Sequence, residues 1–202
     1  MKVANGEMEW VSNPELTLKD AQNGFDANEC HGRGRDTAAA RGYNVERLAA
    51  AVFDSDGFFH TYRDKPWFDT SEWGNDSQKI CIESKSCVHR YPSGGYGQFR
   101  IWALHHDIFT HPPEPLSHGR QIYFFLVYTI DEHGDAEEVG KLAVEAIIID
   151  DIITDWRWTD HTTMGSVKKR DISWHLLLSR LGVSVKRFRA DDIVVVTDPT
   201  DE

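Results

Sequence analysis

Apolar residues recur along the chain in two spacings, and the switches between them divide it into elements. Val45, Leu48, Ala49, Val52 and Phe53 fall at i, i+3, i+4, i+7 and i+8, the stripe of one buried helix face. Asn44 is placed to cap that helix and Gly57 lies beyond its end. Phe58 to Arg63 and Trp67 to Thr70 read as two short strands separated by Lys65-Pro66. Lys79 to Ser86 alternates, with Ile80 and Ile82 on one face and Cys81, Glu83 and Lys85 on the other. After a Gly-rich turn, Pro92 to Gly97, a helix is expected over Gln98 to Phe109, ended by Pro112 and Pro113. Gln121 to Ile130 (QIYFFLVYTI) is β-branched and aromatic with hardly a polar residue inside, as in a central strand covered on both faces. Leu142 to Ile149 and Ile193 to Thr197 are further strands, and Ile172 to Leu181 is a short helix stopped by Gly182.

The order is helix, three strands, helix, strand, which predicts an α/β domain with a mixed central sheet flanked by helices. Residues 1–41 lack sustained periodicity and contain Asn5-Gly6, Asn13-Pro14 and Asn23-Gly24, so they read as a loop-rich N-terminal arm. The domain then occupies 42–202, with its core at about 43–130 and additions behind it. Apolar runs such as Ile122 to Val127 are far shorter than the roughly 20 residues a membrane-spanning helix requires. The chain opens without a basic segment followed by an apolar one, so a cytoplasmic protein with no membrane partner is expected. Three cysteines, Cys30, Cys81 and Cys87, without CxxC spacing argue against a disulfide framework, a zinc ribbon or an iron–sulfur cluster.

Charge changes the picture in one region. The chain of 202 residues carries a formal net charge of −11 from 33 acidic and 22 basic residues, which by itself disfavours an anionic partner. Between Gly165 and Ala190, however, seven basic residues face one acidic residue, a net of +6 that leaves −17 to the rest. Lys168, Lys169, Arg170, Lys186, Arg187 and Arg189 are therefore candidate contacts for a nucleic-acid backbone, the competing reading being a solvated helix and turn. Trp156, Trp158 and Trp174 offer faces for base stacking, although core packing explains them equally. The preference for Asp over Glu (20 to 13) and Arg over Lys resembles the acidic surfaces of proteins from salt-loving microbes, in which case the global charge reports on the solvent.

The chemistry concentrates in Ile80-Cys81-Ile82-Glu83-Ser84-Lys85, with Asp69 fourteen residues before Glu83 and Glu46 on the preceding helix. Residues two apart on a strand project to one face roughly 6 to 7 Å apart, so Glu83 and Lys85 can address one phosphate together. Over roughly Tyr43 to Ile130 these residues resemble the PD-(D/E)xK nuclease superfamily, whose restriction-endonuclease-like αβββαβ core occurs in type II restriction enzymes, archaeal Holliday-junction resolvases and RecB-type nucleases. The resemblance implies a Mg²⁺-dependent deoxyribonuclease, with Mn²⁺ as a substitute and DNA as partner. It implies metal ligands at Asp69, Glu83, the Ser84 peptide carbonyl and Glu46, with Lys85 as the electrostatic partner of the reacting phosphate. The literal PD pair is missing, since Phe68 precedes Asp69, and Asp64 is a rival for the Asp role.

Gln98 and Trp102 loosely resemble the Gln-x-x-x-Tyr element of RecB-type nucleases, with Trp for Tyr, which makes Gln98 a further catalytic candidate. Tyr91 to Tyr96 is a candidate loop over the substrate. His105, His106, His111 and His118 lack the H-E-x-x-H pattern of a zinc site. Cutting both strands of a duplex would suit a homodimer. The competing class is a noncatalytic binding module that keeps the fold, and a third is a phosphohydrolase of small substrates.

Overall fold

A computed structural model describes residues 1–5, 11–23, 38–53, 57–58, 70–73, 79–112, 119–133, 135–161 and 165–198. The elements are β1 (Lys2–Asn5), α1 (Leu18–Asn23), α2 (Ala38–Val52), β2 (Gly57–Phe58), β3 (Thr70–Trp73), β4 (Lys79–Val88) and β5 (Gln98–Trp102). They continue with α3 (Ala103–Thr110), β6 (Arg120–Ile130), β7 (Ala136–Glu145), α4 (Ala146–Ile152), β8 (Arg157–His161), β9 (Gly165–Ser173), α5 (Trp174–Arg180) and β10 (Ile193–Thr197).

The predicted helix–three strands–helix–strand order is present in α2, β2, β3, β4, α3 and β6, and the sheet is mixed. Its strand order is β1-β10-β7-β6-β4-β3-β2. The five central strands carry the load, because β1 and the two-residue β2 are edges. β4 runs parallel to β6 over a continuous register from Ile80↔Arg120 to Val88↔Tyr128 and antiparallel to β3, whose Thr70 pairs with Ile82. A second antiparallel sheet has the order β5-β9-β8.

Strand parity explains the layering, since alternate side chains leave opposite faces. Ile80, Ile82, Ile122, Phe124 and Leu126 join Val45, Leu48, Ala49, Val52 and Phe53 of α2 in one apolar cluster. Cys81, Cys87, Tyr123, Phe125 and Val127 join Phe109, Ile149, Ile172 and Leu177 in a second cluster on the other face. β6 is thus covered on both sides, as its uninterrupted apolar sequence predicts.

Several expectations are corrected. The segment from Gln98 is a strand before it is a helix, because Phe99 and Ile101 are buried while Gln98 and Arg100 are exposed, a period of two paired to β9. The helix begins only at Ala103. Leu142 to Ile149 is likewise divided, since β7 ends at Glu145 and Ala146 opens α4. α2 starts at Ala38, so Asn44 is a buried interior residue of the helix and not its cap. Ser173 caps α5, accepting from the Leu176 N–H at 3.3 Å. Gly182 stops α5 as predicted, in a left-handed conformation (φ 65°) that lets Val183 N–H reach back to Leu178 O at 2.9 Å. Gly97 permits a close approach that fixes β5 against the end of β4. A Cβ there would lie 1.6 Å from the Val88 carbonyl oxygen.

The segment read as an arm also contributes order. β1 extends the sheet beside β10, and α1 packs on the α2 side through buried Leu18. Lys141, with a fully buried side chain, fastens this segment. It donates to the carbonyls of Pro14 (2.8 Å) and Leu16 and lies 3.3 Å from Glu138, which accepts from the Leu18 N–H at 2.8 Å. Burial raises the Glu138 pKa, and the Lys141 charge opposes that rise. Removing one partner of such a pair strands the other charge in a medium that solvates it poorly. Lys141→Ala is therefore expected to lower the unfolding free energy by about 3–5 kcal/mol in a denaturant titration. An unchanged midpoint would show that the N-terminal segment is not held in this way.

Candidate active site

β4 presents the candidate groups because its apolar and charged positions alternate. With Ile80 and Ile82 committed to the α2 side, Glu83 and Lys85 share the opposite face with Cys81. Glu83 is buried, with 6% relative exposure, and the half-buried Lys85 donates from Nζ to its carboxylate. A carboxylate so far from water requires charge compensation, and Lys85 supplies it. The parallel register sets Tyr123 beside Glu83 and Gln121 beside Cys81 on the same face.

Helix α3 lies over this face and aims adjacent histidines at different neighbours. Burial, then the positive charge of Lys85, pushes the pKa of half-buried His105 below its ordinary value, so its imidazole is neutral near pH 7. His106 is buried, with Nδ1 3.0 Å from the Tyr123 hydroxyl and Nε2 3.3 Å from Asp150 Oδ1. Burial lowers its pKa too, with Asp150 opposing the shift. The chain Tyr123–His106–Asp150 therefore runs from the strand beside Glu83 to the surface of α4.

The sequence candidates are not all brought together. Glu83 and Lys85 meet. Ser84 lies between them, its side chain leaving the opposite face by strand parity. Glu46 is half-buried on α2, the helix packed against the other side of the sheet. Gln98 is exposed on β5 in the second sheet, not on a helix, and there shares a face with Arg100 and Trp102. Asp69 and Asp64 lie outside the described residues. Among the described residues no group of three or more His, Cys, Asp or Glu side chains is placed to hold a metal ion. The buried Glu83 carboxylate is a hard oxygen donor of the kind Mg²⁺ takes.

Of the basic candidates, Lys168 is exposed, Lys169 pairs with Asp171 at 2.5 Å, and Arg170 lies 3.7 Å from Asp155. Lys186 and Arg187 form a single 3₁₀ turn, Val185–Arg187, and Arg189 Nε donates to the Lys186 carbonyl at 2.9 Å. The sequence analysis does not single out Tyr123 or Asp150, and it considers His105 and His106 only as zinc ligands. The available signals were the parity of Tyr123 with the charged positions of β4 and the pairing of two histidines on one helix turn.

A family model described as the PD-(D/E)XK nuclease superfamily domain matches residues 33–178. No curated protein and no solved structure matches the chain.

The histidines make a pH prediction. The folded-state pKa of His106 lies below its ordinary 6.5, so on acidification the unfolded chain takes up the proton first. The stability this confers is complete above that ordinary value and is lost as pH falls below it. Wild type is therefore expected to lose stability more steeply than His106→Gln between about pH 7 and about pH 5. Parallel curves in thermal unfolding would show that His106 is not held neutral.

Proposed function

The chain belongs to the PD-(D/E)XK nuclease superfamily, and on that premise we propose that it is a Mg²⁺-dependent deoxyribonuclease hydrolysing DNA phosphodiester bonds at Glu83 and Lys85. The observation that carries this reading is the buried Glu83 carboxylate with the Lys85 ammonium against it on one face of β4. The residues proposed to hold the metal are Glu83 and the Ser84 peptide oxygen, with Asp69 as the further ligand the family pattern suggests. When bound, Mg²⁺ supplies a Lewis acid that lowers the pKa of an attacking water and offsets charge building on phosphorus.

The chain's own groups do the rest. Glu83 fixes the position of the reacting centre because its carboxylate is packed against the sheet and cannot wander. Lys85 neutralises a nonbridging phosphate oxygen as negative charge accumulates, and in a site shielded from water that attraction is stronger than at an open surface. His105, neutral beside Lys85, adds no competing positive charge. Lys168, Lys169, Arg170, Lys186, Arg187 and Arg189 are proposed to engage the phosphate backbone, giving affinity without sequence preference. Two copies would place two such centres on a duplex, so a homodimer acting in the cytoplasm in restriction, junction resolution or repair completes the proposal.

The test is cleavage of supercoiled and branched DNA with Mg²⁺ or Mn²⁺ at low and high salt. Glu83→Gln and Lys85→Ala are each expected to slow cleavage by about 100-fold or more, and chelation of the metal to abolish it. Undiminished cleavage in both variants would move the centre elsewhere. Binding without cleavage by wild type under every condition would leave a noncatalytic module.

A further inference from the structure

The hairpin of β8 and β9 holds a tryptophan out in water. β8 is the edge of its sheet, and Trp158 on it is 68% exposed. Its cross-strand partner is Lys168, whose ammonium lies 5.2 Å from the centre of the indole ring. Exposing so much aromatic surface is unfavourable, and the lysine engages the ring as a cation–π partner.

Lys168 also lines a cavity of about 360 Å³ beside the hairpin, within the range of small-ligand sites. The apolar walls are Trp156 and Leu104, the latter 59% exposed. The polar wall is Asp107, Asp150 and His106, with His106 fixed by its bonds to Asp150 and Tyr123. Flat apolar walls, carboxylate acceptors along one side and a cation at the rim match a planar heterocycle that bears an amino group and hangs from an anionic chain. A phosphate would be repelled by Asp107 and Asp150. A base edge would not, because exocyclic amines donate to carboxylates. Adenine, cytosine and guanine carry that amine, whereas thymine does not. Neither the indole nor the cavity can reach a base inside an intact duplex.

We infer that Trp158 and the adjoining cavity form a binding site for an unpaired, amino-bearing nucleobase of a DNA strand, with Lys168 beside its phosphate. This deepens the nuclease reading and takes DNA as the ligand from it. It also gives that reading geometry, because His106 in the cavity bonds to Tyr123, the register neighbour of Glu83. A strand held at the cavity is thereby tied to the catalytic face through one helix turn. The substrate would then be DNA with an unpaired stretch, such as a flap, a loop or a branch.

The test separates binding from cleavage by using full-length Glu83→Gln protein in EDTA, with fluorescence anisotropy of labelled oligonucleotides. An oligo-dC strand is expected to bind at least about five-fold more tightly than an abasic strand of the same length, and more tightly than oligo-dT. Trp158→Ala should erase the advantage over the abasic strand and Trp158→Phe should keep most of it. Lys168→Ala should lower the salt slope by about one contact. Equal affinity for abasic and dC strands, or a base advantage intact in Trp158→Ala, overturns the site. Equal affinity for dT and dC overturns the amino-group assignment. Base-dependent binding with no cleavage by wild type would sink the nuclease reading alone, and cleavage without base dependence would sink this inference alone.

Discussion

A carboxylate buried in a β-sheet is tolerated only where a positive charge stands against it, and Glu83 and Lys85 meet that condition from the same strand face. The pair is costly as a stabilising device, since two well-packed apolar residues would serve a core at least as well. Its position makes sense as an electrostatic feature: the strand holds a desolvated carboxylate with an opposite charge two residues along on the same face. The other features of the site follow from holding that arrangement still.

Rigidity comes from the β4–β6 register. β4 has an apolar face (Ile80, Ile82) and a charged one (Glu83, Lys85), so it cannot slip by one residue against β6 without turning its charges into the apolar layer under α2. The parallel pairing of β4 to β6 then fixes which face Glu83 and Lys85 occupy and sets Tyr123 beside them. α2 closes the opposite face with aliphatic side chains. α3 covers the charged face and converts two consecutive histidines into separate roles, one neutral beside Lys85 and one fixed between Tyr123 and Asp150. The placement of the charged residues therefore depends on sheet parity as much as on their identity.

Where one period dominated, the sequence was readable. The alternation in β4, the unbroken apolar run of β6 and the strand Ile193–Thr197 lie where periodicity places them. The reading failed where two elements abut without a turn. In Gln98 to Thr110, Phe99 and Ile101 mark a strand, but Trp102, Ala103 and Leu104 continue the apolar character into α3 and hide the boundary. In Leu142 to Ile149 the apolar residues pass from β7 into α4 across a single Glu145. Lys141 was invisible because a lysine inside an apolar run reads as a surface position, and only tertiary structure supplies the carbonyls that accept from it. The E-x-K element was legible because strand parity alone puts both side chains on one face. The Tyr123–His106–Asp150 chain was not, because it joins three elements distant in sequence.

The most direct test of the central claim is anomalous diffraction from crystals grown with Mn²⁺. A manganese ion is expected bonded to the Glu83 carboxylate on the charged face of β4, and lost in Glu83→Gln. Manganese bound elsewhere, with the Glu83–Lys85 pair undisturbed at saturating metal, would contradict that claim.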